Sequence, residues 1–166
     1  MFELEKTDYV EHLIEITKSH SGISGPELAK AHMQLGKLMA AHIPYPPEET
    51  TIVAILRGGI FFAEGIYLEL GCKFELYNPK YQKFIRPQTK YVVLVDSVIN
   101  TGNTLKSIMG EDMAVSCCVI NENAVPYFKD RLFTVRISNN SYIGKNIKEQ
   151  VGNVGPDTTM RLFNQI

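Results

Sequence analysis

A strand, a glycine turn and a helix in immediate succession, a pattern that occurs twice, limits this chain more than any other feature of its sequence. Thr51-Ile-Val-Ala-Ile-Leu56 is a continuous β-prone apolar run, followed by Arg57-Gly58-Gly59 and then by a helical stretch from Ile60 to about Leu70, closed by Gly71. Further along, Tyr91-Val-Val-Leu-Val-Asp96 meets a second glycine-bearing turn and a short helix beginning near Asn103. Other strands are expected at residues 73–77, 115–120 and 133–137. A strand with no polar face needs cover on both sides, so these strands alternating with helices predict a twisted parallel sheet flanked by helices. Ligands of such sheets sit at the carboxyl ends of the strands, where both turns lie.

Two helices are expected ahead of this core. Residues 7–18 space Tyr9, Val10, Leu13, Ile14 and Ile16 as an amphipathic helix. Ser24-Gly-Pro-Glu27 has the form of a capping box, with Pro26 in the first turn, and the helix it opens should run to about His42. Leu28, Ala31, Leu35, Leu38 and Met39 form its apolar stripe, and Pro44, Pro46 and Pro47 stop it. No repeat, charge block or long linker divides the 166 residues, so one domain is expected. Residues 1–45 supply the N-terminal helices, 46–137 the α/β core and 138–166 a closing segment.

The remaining composition excludes several classes. The apolar runs fall well short of the roughly 20 residues a membrane helix needs, so no membrane partner is expected. The N-terminus lacks the basic start and apolar stretch of a secretory signal. Cys72, Cys117 and Cys118 form an odd set, the last two on one strand facing opposite ways, which suits buried thiols in a reducing compartment; the cytoplasm is expected. Lys and Arg total 17 against 18 Asp and Glu, so no global basic field exists to hold nucleic acid, and an anionic ligand must be caught locally. His12, His20, His32 and His42 show no metal spacing, and His32 and His42 read as surface residues of the second helix. No protein-held metal is expected.

The second turn is suited to catching an anion. Asp96 ends a buried strand, and Ser97-Val-Ile-Asn100-Thr101-Gly102-Asn103-Thr104 leads into a helix. Glycine lets the backbone approach a phosphate, successive amides converge, threonine hydroxyls add donors, and a helix N-terminus favours negative charge. No lysine follows the glycine as in a Walker A loop, and GxGxxG is absent, so the cradle suits a single terminal phosphate. Asp96 is placed to accept hydrogen bonds from the hydroxyls of a sugar carrying that phosphate.

Residues 91–105 resemble the phosphoribosyl diphosphate (PRPP) signature of type I phosphoribosyltransferases: a hydrophobic strand, an acidic residue, then Thr-Gly-x-Thr. Ile55-Leu-Arg57-Gly58-Gly59 resembles the family's diphosphate-binding turn, in the form nearest to uracil phosphoribosyltransferases. Gly152-Asn-Val-Gly155-Pro-Asp157-Thr-Thr-Met160-Arg161-Leu-Phe163 resembles the closing segment of the uracil enzymes, with Met160 where they have a second aspartate. Tyr142-Ile143 resembles the Tyr-Ile pair before that segment, although residues 144–154 intervene here.

The resemblance implies a small C-terminal hood over a phosphoribosyltransferase-like sheet, a homodimer, and transfer of the phosphoribosyl group of PRPP to a free nucleobase, uracil first, giving UMP and diphosphate. By it, Ser97, Asn100, Thr101, Gly102, Asn103 and Thr104 hold the 5'-phosphate, and Asp96 holds the ribose diol. Arg57, Gly58 and Gly59 take the diphosphate, so Asp96 and Arg57 are the catalytic pair. Tyr142, Ile143, Gly155 and Asp157 face the base, with Tyr142 as a merely packed aromatic the alternative. Magnesium is implied, bound mainly through PRPP.

Ser97 stands where many members carry a second acid, and the loop at residues 77–90 is shorter than the pairing arm of the uracil enzymes. Lys80, Lys83 and Arg86 in that loop read either as cations brought over a diphosphate or as a solvated basic loop. Two other readings stay open: a non-catalytic regulator of the same fold that binds a nucleotide or PRPP, and a transferase for orotate or a purine.

Overall fold

The structure, a computed structural model, describes all 166 residues. A central sheet runs in the order β1-β6-β5-β4-β2-β3, every pairing parallel. Its strands are β1 (Phe2–Glu3), β2 (Thr50–Ile55), β3 (Lys73–Tyr77), β4 (Tyr91–Ile99), β5 (Met113–Asn121) and β6 (Leu132–Ser138). Helices α1 (Asp8–Thr17), α2 (Gly25–Ala40) and α3 (Ile60–Leu70) cover one face. The short α4 (Asn103–Lys106) and α5 (Val125–Phe128) cover the other. A parallel pair, β7 (Ile143–Lys145) and β8 (Val154–Pro156), with α6 (Thr158–Leu162), makes the hood. No helix is long and apolar enough to cross a membrane.

Alternation along the strands feeds two apolar layers. Ile52, Ala54, Val93, Val95 and Cys118 face the three long helices, whereas Val53, Ile55, Leu94, Val115 and Cys117 face Leu105 and Phe128. The adjacent cysteines therefore point to opposite faces, as expected, and all three thiols are free.

Pairing α2 to α3 demands unusually close backbones. A methyl group on Gly36 would strike the Phe62 carbonyl, and one on Gly65 would strike the Met33 carbonyl. The two glycines thus key each helix into the other.

Five local expectations are corrected. A sixth strand, β1, joins the edge at β6; two residues are too few for a periodic signal. Strand β4 runs on to Ile99 instead of ending at Asp96, because β5 keeps pairing with it as far as Ile120. Ser24 precedes α2 but makes no side-chain cap, since Gly25 enters at φ 66° and turns the hydroxyl from the first-turn amides. Helix α2 ends at Ala40, two residues early. His32 is 1% exposed, not a surface residue; it continues the apolar stripe between Leu28 and Leu35.

The pleat breaks where the strands approach the site. Asp96, Cys117 and Thr134 form one row across β4, β5 and β6, and Ile99, Ile120 and Ile137 another, three residues on. Strict alternation would send these rows to opposite faces. Cys117 and the three isoleucines nonetheless pack in the same layer. Between the rows, Ser97 and Cys118 do not pair, nor do Cys118 and Val135. That shared lapse turns polar groups of three strands toward a cavity at the carboxyl edge.

Gly36→Ala should cost on the order of 2 kcal/mol of folding stability, because overpacking at a helix crossing forces backbone shifts; urea denaturation against the wild-type chain checks this.

Candidate active site

The cavity has a volume of about 530 Å³ and lies between the carboxyl edge of the sheet, the hood and the connection from α1 to α2. The turn after β2 forms its first wall. The Leu56 amide donates to the Tyr77 carbonyl (2.8 Å), and the Leu56–Arg57 peptide is cis. Gly58 lines the cavity, and a Cβ there would lie 3.4 Å from Asp96 Oδ1 and 3.0 Å from Thr159 Oγ1. Gly59 is corrected as an amide donor to an anion: it is buried, its N–H donates to the Ile55 carbonyl (2.9 Å), and it does not line the cavity. Its glycine identity has another cause, since a side chain would run into the backbone of β4 at Val95.

Arg57 lines the same wall with an exposed side chain. Its Nη2 donates to Gln165 Oε1 (3.1 Å), and the guanidinium stacks 4.9 Å from the Phe163 ring centroid. The C-terminal residues thus aim a cation that would otherwise wander.

The second turn forms the opposite wall. Asn100 and Thr104 line the cavity, and Thr101, Gly102 and Asn103 make the bend between them without lining it. Gly102 takes φ 71°, a left-handed conformation that suits glycine, and a side chain there would press on Phe128 Cζ (2.8 Å). The Asn103 amide donates to Thr101 Oγ1 (3.4 Å). Helix α4 has only four residues, so its dipole is small, and local amides and hydroxyls carry any grip on an anion.

Asp96 and Ser97 lie between the walls. Asp96 Oδ1 accepts from the Ser97 amide (2.7 Å), yet burial pushes the carboxyl up to about 7, overriding the backbone hydrogen bonds that favour its charged form. Ser97 is 1% exposed and lines the cavity, and its Oγ has no partner. No group of three or more His, Cys, Asp or Glu side chains is arranged to hold a metal ion.

Tyr142 and Asp157 face the cavity from the hood. Asp157 Oδ1 accepts from the Met160 amide (2.8 Å), capping α6. Tyr142 lies on Gly155, where a Cβ would sit 2.7 Å from its ring, and its hydroxyl donates to the Pro156 carbonyl (3.1 Å). Tyr142 is thus packed within the hood and also lines the cavity. Ile143 is 56% exposed, and neither it nor Gly155 lines the cavity.

Several lining residues escaped the sequence reading. His32, Cys118 and Arg136 line the cavity as a lobe under α1 and α2, together with residues 17–20. Arg136 carried a signal, a charge inside the apolar run Phe133-Thr-Val-Arg-Ile, and His32 another, at helical spacing in a buried stripe. Arg161, 3% exposed, donates to the carbonyls of Thr17, Lys18 and Ile23 and to Ser21 Oγ, at 2.8–3.2 Å. It bolts the hood to the α1–α2 connection.

No protein-family model matches the chain, and no curated protein matches its sequence. Solved structures do. The AQ2163 protein of Aquifex aeolicus superposes with TM-score 0.65 at 16% identity, covering 83% of this chain and 88% of its own. A hypoxanthine-guanine phosphoribosyltransferase of Bacillus anthracis gives 0.52 at 13% identity, covering 70% of this chain and 82% of that one. The orotate phosphoribosyltransferase of Aeropyrum pernix gives 0.50 at 21% identity, covering 65% and 70%. The chain has the type I phosphoribosyltransferase fold.

The raised Asp96 carboxyl has a signed consequence. It holds its proton more tightly folded than unfolded, where it titrates near 3.8, so its contribution to stability is full below that value and is lost as pH rises toward about 7. Asp96→Asn should therefore gain thermal stability over the wild type at pH 8 and little at pH 4; paired melting curves across that range check this.

Proposed function

We propose that this chain is a phosphoribosyltransferase that moves the phosphoribosyl group of PRPP to a ring nitrogen of a free base. One observation carries this reading. The two turns, separated in sequence and on different strands, converge on one cavity, with Gly58 packed between the Asp96 carboxylate and Thr159 of the hood. That juxtaposition suits a substrate with an anion at each end and a diol between.

In this reading Ser97 and Asn100 to Thr104 hold the 5'-phosphate and Asp96 accepts from the ribose hydroxyls. Arg57 and the Gly58 amide stabilise the diphosphate as the bond to C1 breaks and negative charge builds on it. The base nitrogen bonds to C1 from the other side. Rate then comes from positioning and electrostatics rather than from a covalent intermediate. Magnesium arrives as the PRPP complex: the cavity's carboxylates are Asp96 and Asp157, hard oxygen donors that suit the ion, and Asp157 already caps α6. When bound, the ion neutralises diphosphate charge.

Uracil is the leading base by the resemblance of the turn at Arg57 and of the closing segment, with orotate or a purine as alternatives. The same reading has the chain act as a cytoplasmic homodimer. A non-catalytic PRPP-binding regulator is the second reading, favoured by one feature: Asp96 is the only acid at the cradle, and Ser97 stands beside it.

Purified chain with PRPP, magnesium and a panel of bases should release diphosphate with a pyrimidine, and Asp96→Asn and Thr101→Ala should each weaken PRPP binding on the order of 10-fold with melting retained, as expected for lost charged and neutral hydrogen bonds. PRPP binding without turnover on any base would favour the regulator; unchanged affinity in both variants would remove the assignment of the cradle.

A further inference from the structure

The lobe of the cavity under α1 and α2 contains an unusual group. Arg136 leaves β6 just past the row where the pleat breaks, opposite Val119 of β5, and lines the cavity. Its Nε is buried and has no hydrogen-bond partner, and the guanidinium forms no ion pair with any carboxylate of the chain. Burying a polar donor without a partner is costly, and proteins rarely leave such a donor unused. Arg161, more deeply buried at 3% exposure, spends its donors on backbone carbonyls, whereas Arg136 is half-buried. Arg136 is therefore unlike its neighbour in having donors left for a ligand.

His32 shares the lobe. Its Nδ1 lies 3.0 Å from the Leu28 carbonyl, which can only accept, so Nδ1 carries the hydrogen and Nε2 keeps a lone pair. Burial holds the ring at a pKa of about 4, so it is neutral at physiological pH. Ser97, next to Asp96 in sequence, also lines the cavity, and its Oγ is buried and unpartnered. The lobe thus offers a forked donor and a neutral acceptor.

The rest of the cavity is already assigned in the phosphoribosyltransferase reading, on which this inference rests. The 5'-phosphate has Ser97 and residues 100–104, the diol has Asp96, and the diphosphate has Arg57 and Gly58. What remains for the acceptor is the hood side, with Tyr142 and Asp157, and the lobe under α1 and α2, with His32 and Arg136. We propose that Arg136 is the specificity-determining residue of the site: with His32 Nε2 it takes a base whose edge carries an oxo or carboxylate oxygen, and turns away a base presenting an amino group there. A guanidinium fork matches a planar oxygen-bearing edge, whereas an amino group would face donors with donors and leave them unpaired.

The test uses the full chain and two substitutions, Arg136→Gln and Arg136→Lys, with magnesium-PRPP, the bases uracil, orotate, cytosine and adenine, and the matching nucleoside monophosphates as binding probes. The wild type should bind UMP or the orotate nucleotide more tightly than CMP or AMP, and should turn over uracil or orotate in preference to cytosine or adenine. Preference for orotate identifies a carboxylate, and preference for uracil an oxo group. Arg136→Gln should raise KM for the preferred base on the order of 10- to 100-fold, as loss of a charged hydrogen bond predicts. Arg136→Lys should fall between, since it keeps the charge and loses the fork. PRPP affinity and the melting midpoint of both variants should stay near wild type.

Preference for an amino base, an unchanged KM in Arg136→Gln, or a parallel loss of PRPP affinity would overturn the assignment of Arg136. Absence of PRPP binding by the wild type is a different failure, which sinks the phosphoribosyltransferase reading and this inference with it.

Discussion

Arg161 is the residue on which the arrangement of the site depends. Burying a guanidinium costs several kcal/mol unless its donors are met, and here they are met by the carbonyls of Thr17, Lys18 and Ile23 with Ser21 Oγ. Those carbonyls lie at the end of α1 and in the connection to α2, where the Lys18 carbonyl also accepts from the Ser21 amide (3.1 Å). The hood has a two-stranded ribbon, largely exposed along β7, and one short helix, too little to fold alone. Its place over the sheet comes from this contact and from Leu162, which packs on Leu28 and Ala29.

From that anchor the site's geometry propagates outward. Asp157, at the start of α6, is held over the cavity; Phe163 and Gln165, at its end, reach Arg57. The sheet contributes the floor. Its three central strands lose their alternation in the same row, and Asp96, Cys118 and Arg136 all stand near that row. A regular pleat would have kept the apolar layers unbroken to the sheet edge. The lapse opens the floor to polar groups, among them the Asp96 carboxyl, whose burial holds its proton well above the usual range.

Much of this could be read from residue order alone. Continuous apolar runs separated by glycine turns announced the parallel sheet, because only strands covered on both faces can lack a polar side. β3 and α3 fell at their expected bounds, and α3 ended at the predicted Gly71, whose φ of 71° needs that residue. The turn residues were legible because glycine, threonine and aspartate at a strand-to-helix junction have few other uses. What could not be read was set by long-range packing. Gly59 looked like an exposed donor, and only the approach of β4 reveals that its N–H is spent and its missing side chain is a matter of space. His32 looked polar in a helix and proved to be buried, because its place in the stripe between Leu28 and Leu35 outweighs its polarity. Arg136 was hidden in an ordinary strand until three strands bent together.

The glycine pair between α2 and α3 bears on how such a pocket can open. Gly36 and Gly65 interlock the two helices, and α3 begins directly at the Arg57 turn while α2 carries His32. Like a mortise joint, this leaves no play between the Arg57 turn and the His32 side of the cavity. The spacing between those two walls of the pocket is thus set by backbone contact rather than by side chains that could yield.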